Sequence, residues 1–235
     1  MTQSAAKDEI MQRHLGLPAH VLSTSLLTWD GIAEVVARLR LSPGQTLLDL
    51  ACGRAGYGLE VAHRTGARLV GVDFSREALR QAGQLALRLG REVRFEVGEL
   101  AATGLDAESV DAVICIDAIH FAAPQSAAFH EIRRILAPGG RVVLTCWEPI
   151  DPSDNRVPER LRTVDLRAGL TAAGFVEIEV EERPDWHAVE HAMWREAAAL
   201  DPGDDAALRS FHDEGVRVLE FGPLTRRVIA SATAE

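Results

Sequence analysis

Residues 47–62 read LLDLACGRAGYGLEVA. A short apolar run broken by one aspartate gives way to glycines at 53, 56 and 58, and then to a helical start. An apolar run of this length, bounded by small residues and followed by a helical pattern, predicts a strand, a tight turn and a helix. Such a unit aims the backbone N–H groups of the turn at whatever sits beyond the strand end. Whether it opens a whole fold depends on its repetition along the chain.

The alternation does repeat. RLVGVD (68–73) is followed by SREALRQAGQLALRLG, VRFEVGEL (93–100) by a turn, and SVDAVICID (109–117) by PQSAAFHEIRRILAPGG. RVVLTCWE (141–148), a loop and the helical LRTVDLRAGLTAAG (161–174) lead to FVEIEVEER (175–183). Nearly continuous apolar, β-branched strands alternating with helices predict an α/β, doubly wound, Rossmann-like sheet. Past Arg183 the pattern becomes two helices broken at Asp201-Pro202-Gly203, before LTRRVIASATAE (224–235) alternates like a last strand. Residues 5 to 40 read as helices. The chain is therefore divided as one domain: an N-terminal helical cover (1–42), a core (43–183), a helical lid insertion (184–222) and a last strand (223–235).

Composition narrows the function. A chain of 235 residues, 47% apolar and 26% charged, fits one globular domain. A net charge of −10 speaks against nucleic acid as partner, because such binding leans on a basic surface. No apolar run reaches the roughly 18 residues of a membrane span. The start, MTQSAAKDEIMQRHLG, lacks a signal-peptide layout, so a cytoplasmic protein is expected. Cys52, Cys115 and Cys146 lie far apart and no histidines show ligand spacing, so buried reduced thiols and no metal are expected. The single lysine, Lys7, leaves no GxxxxGK[ST] phosphate loop and no plausible Schiff-base lysine. Heavy use of Ala, Arg and Gly matches GC-rich bacterial coding.

Two adenosine-bearing ligands fit the glycine turn, a dinucleotide and S-adenosylmethionine, and Asp73 at the end of the second strand serves the ribose of either. Asp49 separates them. A carboxylate there repels a pyrophosphate and attracts an ammonium and a sulfonium. Ala51 carries a Cβ where a dinucleotide turn prefers none. The only tyrosine, Tyr57, lies in the turn itself, with no lysine to pair with it for nicotinamide chemistry.

LLDLACGRAG, GVDFS, VGEL, VDAVICIDAIHF and RRILAPGGRVVLTCWE, in this order, resemble a class I S-adenosylmethionine-dependent methyltransferase, from about Leu47 to Glu182. The chain is most similar to small-molecule methyltransferases, including those that tailor bacterial natural products. The resemblance implies a seven-stranded sheet with six parallel strands and an antiparallel last strand. It also implies cofactor contacts. Asp49 would orient the methionine amine, while Ala51 and Gly53 would let the turn approach. Asp73 would hold the ribose hydroxyls, and Phe74 would pack on the adenine. Glu99 stands where relatives carry Asp or Asn toward the adenine amino group, Leu100 would present its N–H to the ring, and Ile116 and Asp117 would border the methionine portion. Ala51 and Ala55 depart from the family's glycines; alanine is tolerated there if the backbone keeps φ below zero.

Methyl transfer from a sulfonium needs an acceptor held in line, and a hydroxyl acceptor needs a base. His120, just past the fourth strand, is the candidate catalytic base, with a pKa expected near the ordinary ~6.5; His20 and His187 are weaker alternatives. Packing is the plainer role for His120. IDAIHF stands where methyltransferases of base amines carry NPPY or DPPY, which argues against a nucleic-acid acceptor. Trp29, Trp147, Trp186 and His187 are candidate substrate contacts for a flat or polyketide-like acceptor. Trp194 is read as core. The expected function is methylation of a small molecule, at oxygen, in bacterial secondary metabolism. The alternative is a protein that binds the cofactor but catalyses a non-methylating reaction such as cyclisation. Oligomeric state stays open between monomer and homodimer.

Overall fold

A computed structural model describes residues 4–21 and 25–235. Seven strands form one sheet: β1 (Thr46–Leu50), β2 (Arg68–Asp73), β3 (Arg94–Val97), β4 (Val110–Ile116), β5 (Leu136–Pro149), β6 (Phe175–Glu182) and β7 (Thr225–Ala234). Their order is β3-β2-β1-β4-β5-β7-β6. Neighbours from β3 to β5 pair in parallel, and β7 runs antiparallel to both β5 and β6. This is the Rossmann-like arrangement expected, with the last strand slotted inside the sixth. Strand order reverses beside β1, so the carboxyl ends of β1 and β4 flank the crevice where such sheets bind ligands.

The helices are α1 (Ala5–Leu15), α2 (Trp29–Leu39), α3 (Gly56–Thr65), α4 (Arg76–Arg88), α5 (Gln125–Ile135), α6 (Glu159–Arg162), α7 (Leu166–Ala172), α8 (Pro184–Ala199) and α9 (Ala206–Phe221). Central strands are buried on both faces, which is why they read as unbroken apolar runs rather than alternating ones. Leu47, Ile114, Val143 and Ile229 face a core shared with α2, α3, α4 and α8. Leu48, Val113, Leu144 and Val228 face the opposite core, filled by Phe129 and Ile132 of α5 and Leu170 of α7. Each such side chain contributes about 1.5–3 kcal/mol by leaving water.

The end elements pack on one another. α1 lies against both α8 and α9. Ser4 Oγ donates to Asp205 Oδ2 at 2.6 Å, and Arg13 pairs with Glu196 at 2.6 Å. Trp194 stacks tilted on Phe211, 5.1 Å between ring centres, as a core residue should.

Several boundaries differ from expectation. The N-terminal segment is not helical throughout: between α1 and α2, described residues 17–21 make a turn closed by Val21 N–H on Pro18 O and residues 25–28 form a non-helical strap, and residues 1–3 and 22–24 of the expected cover lie outside the described residues. β3 stops at Val97 because Glu99 turns to bridge Ala102. The expected helix over 161–174 is two, because extended Asp165 breaks it and caps the second by accepting from Ala168 N. β5 begins five residues earlier than RVVLTCWE, at Leu136, which pairs with Val110.

Candidate active site

The glycine turn joins β1 to α3 and is held by its own backbone. Cys52 N–H donates to Val72 O at 3.0 Å and Ala55 N–H to Cys52 O at 2.7 Å. Gly53 N–H donates to Asp73 Oδ2 at 2.8 Å, while Asp73 Oδ1 takes Ser75 N–H at 2.8 Å. The turn winds tightly because Ala51, Gly53 and Ala55 all adopt left-handed conformations, φ 60°, 52° and 59°. The condition set for the two alanines is therefore not met. Each bears a Cβ in a region that costs an L-residue on the order of 1 kcal/mol. Hydrogen bonds on either side hold the turn in place nonetheless.

Asp49 lies beneath this turn, 4% exposed. A Cβ added at Gly58 would fall 2.4 Å from Asp49 Oδ2, so the first turn of α3 closes onto the carboxylate only because residue 58 has no side chain. Among the described residues no cation pairs with Asp49. Burial pushes its pKa up to about 7, against the pull of the Gly58 N–H and with a push from Asp73. Such a carboxylate is a stored demand for a positive ligand.

Phe74, next to Asp73, leaves 76% of its surface in water. An exposed phenyl at the end of β2 offers a face to a flat ring. Glu99 is exposed and Leu100 half-buried, both just past β3. Asp49, Ala51, Gly53, Asp73, Phe74, Glu99 and Leu100 thus gather along the ends of β1, β2 and β3.

Ile116 and Asp117 end β4, and here the site changes character. Asp117 is buried with φ 58°. Its Oδ2 takes Leu26 N–H of the strap at 2.8 Å, and its Oδ1 takes Thr145 Oγ1 at 2.6 Å. Ser25 Oγ donates to Ile116 O at 3.1 Å, and Tyr57 from the glycine turn reaches Leu27 O at 2.8 Å. The strap therefore spans from turn to strand four.

Arg227 of β7 is 0% exposed and sits opposite Trp147 of β5 in the strand register. Its Nη2 lies 2.6 Å from Asp117 Oδ1 and its Nε 2.6 Å from Glu190 Oε1 of α8. Among the described residues Nε, Nη1 and Nη2 all lack a hydrogen-bond partner, so these two contacts are ion pairs off the hydrogen-bond axis. Trp147 Nε1 donates to Glu190 Oε2 at 2.8 Å, and the guanidinium carbon stands 4.2 Å from the Trp147 ring centre. Burial pushes Glu190 up to about 7, although Arg227 favours its ionised form. Sequence reading missed Arg227 and Glu190. Neither sits in a motif, and Arg226 and Arg227 are adjacent, one exposed and one buried, so residue type alone does not say which of them faces inward.

His120 lies in a 3-10 turn, Ile119–Phe121, directly after β4. It is buried, edge-on to Trp147 at 5.9 Å and with Nδ1 3.4 Å from Cys146 Sγ. Burial lowers its pKa to about 4, opposed by Asp117, so the ring is neutral at neutral pH but a weaker base than expected. His187 stands on α8 with Nε2 3.0 Å from His191 Nε2, and burial lowers it likewise to about 4. Trp147 and Trp186 flank Arg227. Trp29 is set apart from them: its ring carries Arg64 of α3 at 4.0 Å. Among the described residues no group of three or more His, Cys, Asp or Glu could hold a metal, and no helix is long and apolar enough to cross a membrane.

Residues 48–144 match the family model described as a methyltransferase domain. A phosphoethanolamine N-methyltransferase of Arabidopsis thaliana is 32% identical over 161 residues, 65% of this chain and 33% of that protein. A sterol 24-C-methyltransferase of Gibberella zeae is 30% identical over 142 residues, 59% of this chain and 37% of that protein. The chain thus spans about a third of the length of these curated relatives. Among solved structures, a Haemonchus contortus phosphoethanolamine N-methyltransferase with S-adenosyl-L-methionine superposes with a TM-score of 0.78 at 19% identity, over 98% of this chain and 57% of that one. The cyclase SpnF superposes at 0.71 with 22% identity, over 96% and 91%. With the strand order and the glycine turn above, these matches show that the chain is similar to class I S-adenosylmethionine-dependent methyltransferases, the match to the methyltransferase-domain model covering residues 48–144.

Proposed function

We propose that the protein transfers a methyl group from S-adenosylmethionine to the oxygen of a small-molecule acceptor in bacterial secondary metabolism. The observation that carries the cofactor is Asp49, a buried carboxylate with no cationic partner among the described residues, directly below a turn shaped to approach a ligand. A pyrophosphate there would meet uncompensated negative charge. Asp49 would take the methionine ammonium, Asp73 the ribose hydroxyls, Phe74 the adenine face and Leu100 N–H the ring edge. Glu99 would face the adenine amino group, and Ala51, Gly53, Ile116 and Asp117 would border the rest.

When bound, the cofactor supplies an electrophilic methyl group, so the chain's own work is placement, exclusion of water and removal of one proton. His120 would accept the acceptor's hydroxyl proton through its second ring nitrogen, Nδ1 being turned to Cys146. Its ring is already deprotonated at neutral pH, so no part of the enzyme population is lost to imidazolium. Trp147, Trp186 and His187 would line the acceptor side, with α8 as roof, and Trp29 would act from the outer flank. Division into cover (1–42), core (43–183), lid (184–222) and last strand (223–235) accords with this arrangement, as does a small-molecule rather than nucleic-acid partner.

Thermal shift with S-adenosylmethionine, S-adenosylhomocysteine, NAD and NADP tests the cofactor. Stabilisation by the first two alone is expected, and stabilisation by NAD alone overturns the reading. A second reading, a protein that binds the cofactor but catalyses a non-methylating reaction such as cyclisation, draws on the likeness to the cyclase SpnF, a likeness that a solved methyltransferase of equal coverage shares. Methyl-labelled cofactor separates the two, because a cyclase transforms its substrate while leaving the label behind.

A further inference from the structure

The cluster Asp117–Arg227–Glu190 lies at the carboxyl ends of β4 and β5, on the side where the acceptor must stand, and the cofactor contacts do not use Arg227 or Glu190. Three of its properties are unusual together. Arg227 is wholly buried, yet among the described residues none of its nitrogens has an acceptor in hydrogen-bond geometry; Nη2 and Nε at least lie against carboxylates, which leaves Nη1. A buried N–H left in this way costs about 1–3 kcal/mol, so the position calls for an oxygen. The guanidinium charge, by contrast, is already met twice, by carboxylates 2.6 Å away on either side. Two carboxylates against one guanidinium leave the cluster with no positive charge to offer. Finally, the guanidinium is stacked on Trp147, which is only partly buried and whose ring also meets the edge of His120. A flat molecule entering along Trp147 would bring its oxygen toward Nη1 and its neighbouring hydroxyl toward His120.

We propose that Arg227 Nη1 is the docking point for a neutral oxygen, carbonyl or hydroxyl, of an aromatic acceptor. On the same ground Asp117 and Glu190 make the site reject phosphorylated acceptors. The proposal rests on the methyltransferase reading above and deepens it by naming the acceptor's chemistry. It separates the protein from the phosphoethanolamine methyltransferases to which it is similar. An added phosphate would have to stand beside two buried carboxylates, and like charges at such range are strongly unfavourable where water cannot screen them. A phenol or ketone brings a lone pair without a charge.

The test uses the full chain saturated with S-adenosylhomocysteine and two matched probes, 1-naphthol and 1-naphthyl phosphate, titrated by calorimetry or ligand-observed NMR at a fixed pH about one unit above the raised Glu190 value, so that both carboxylates are ionised. Naphthol is expected to bind at least about tenfold more tightly than its phosphate. Glu190→Gln, which keeps shape and removes one negative charge, should narrow that ratio several-fold while leaving S-adenosylhomocysteine affinity unchanged. Arg227→Met should abolish naphthol binding; because it strands two buried carboxylates and risks misfolding, the Glu190→Gln ratio decides if that variant does not fold. Equal or tighter binding of the phosphate, an unchanged ratio in Glu190→Gln, or no binding of either probe at millimolar concentration overturns the proposal and leaves Arg227 a structural clamp. Failure of S-adenosylhomocysteine to bind the unaltered chain would instead overturn the cofactor reading, so the two failures are distinct.

Discussion

The two halves of the crevice are built from different materials. On the β1–β2 side the candidate ligand contacts lie in one turn and the strand ends beside it: left-handed residues, N–H groups anchored on Asp73, the buried Asp49 carboxylate and a phenyl left in water. On the β4–β5–β7 side they are side chains: a guanidinium, two carboxylates, an imidazole and two tryptophans, roofed by α8. The first kind of site is fixed by a local stretch of chain and changes little unless the turn itself changes. The second is assembled from residues as far apart as 117 and 227, each replaceable without breaking a strand. On the function proposed above, that difference fits a shared cofactor on one side and a variable acceptor on the other.

The sharpest way to break the comparison is His120→Ala. If the acceptor side performs the proton transfer, turnover should fall about 10²–10⁴-fold while cofactor affinity barely moves. Because burial lowers the histidine to about 4, the turnover of the unaltered enzyme should stay flat from about pH 6 to 8 rather than halve near 6.5. Near-normal turnover in the variant, or a loss confined to thermal stability, would return His120 to a packing role beside Cys146.

Asp73→Ala tests the other side and should cost about 1–3 kcal/mol of cofactor binding, since both a ribose acceptor and the anchor of Gly53 N–H disappear. Unchanged affinity by calorimetry would remove Asp73 from the site.

Asp49 supplies a pH signature of smaller size. In the free protein its carboxyl is raised to about 7, and an ammonium ligand favours the ionised form, so binding should release a proton. Affinity should therefore be full above about pH 7 and fall by up to about tenfold per unit below it. Calorimetry in buffers of different ionisation enthalpy reads the proton directly, and Asp49→Asn should abolish both the release and the slope.

Ala55→Gly is the smallest effect. Relief of a left-handed alanine and the greater freedom of glycine in the unfolded chain oppose each other, leaving a gain of at most about 1 kcal/mol in denaturant unfolding. A clear loss would show that Ala55 packs too well for its strain to matter.

Most of the sheet was legible in the sequence because its strands are continuous apolar runs set off by glycine and helical segments, and GVD and LLDLACGRAG lie within single motifs. What escaped depended on partners distant in sequence. Leu136 joins β5 because Val110 is there to pair with it, and Asp165 ends one helix by capping the next. The left-handed backbone at Ala51 and Ala55 was hidden because alanine gives no signal of it. Glu190 looked like one more polar residue on an amphipathic helix until Arg227 and Trp147 were brought beneath it. Trp29, read with the other tryptophans, stacks on Arg64 because α2 turns it toward α3.

β6 forms one border of the sheet, and Glu177, Glu179 and Glu181 along it are largely in solvent, with Glu177 itself at a left-handed bulge that shifts the register. An unpaired strand is a template on which another chain can polymerise. Charged side chains, each glutamate paired with Arg38, Arg40 or Arg141, and a bulge that shifts the register keep that border hydrated and misalign any such newcomer. Resistance to aggregation along that border therefore rests on a strand that is charged and irregular rather than apolar and flat.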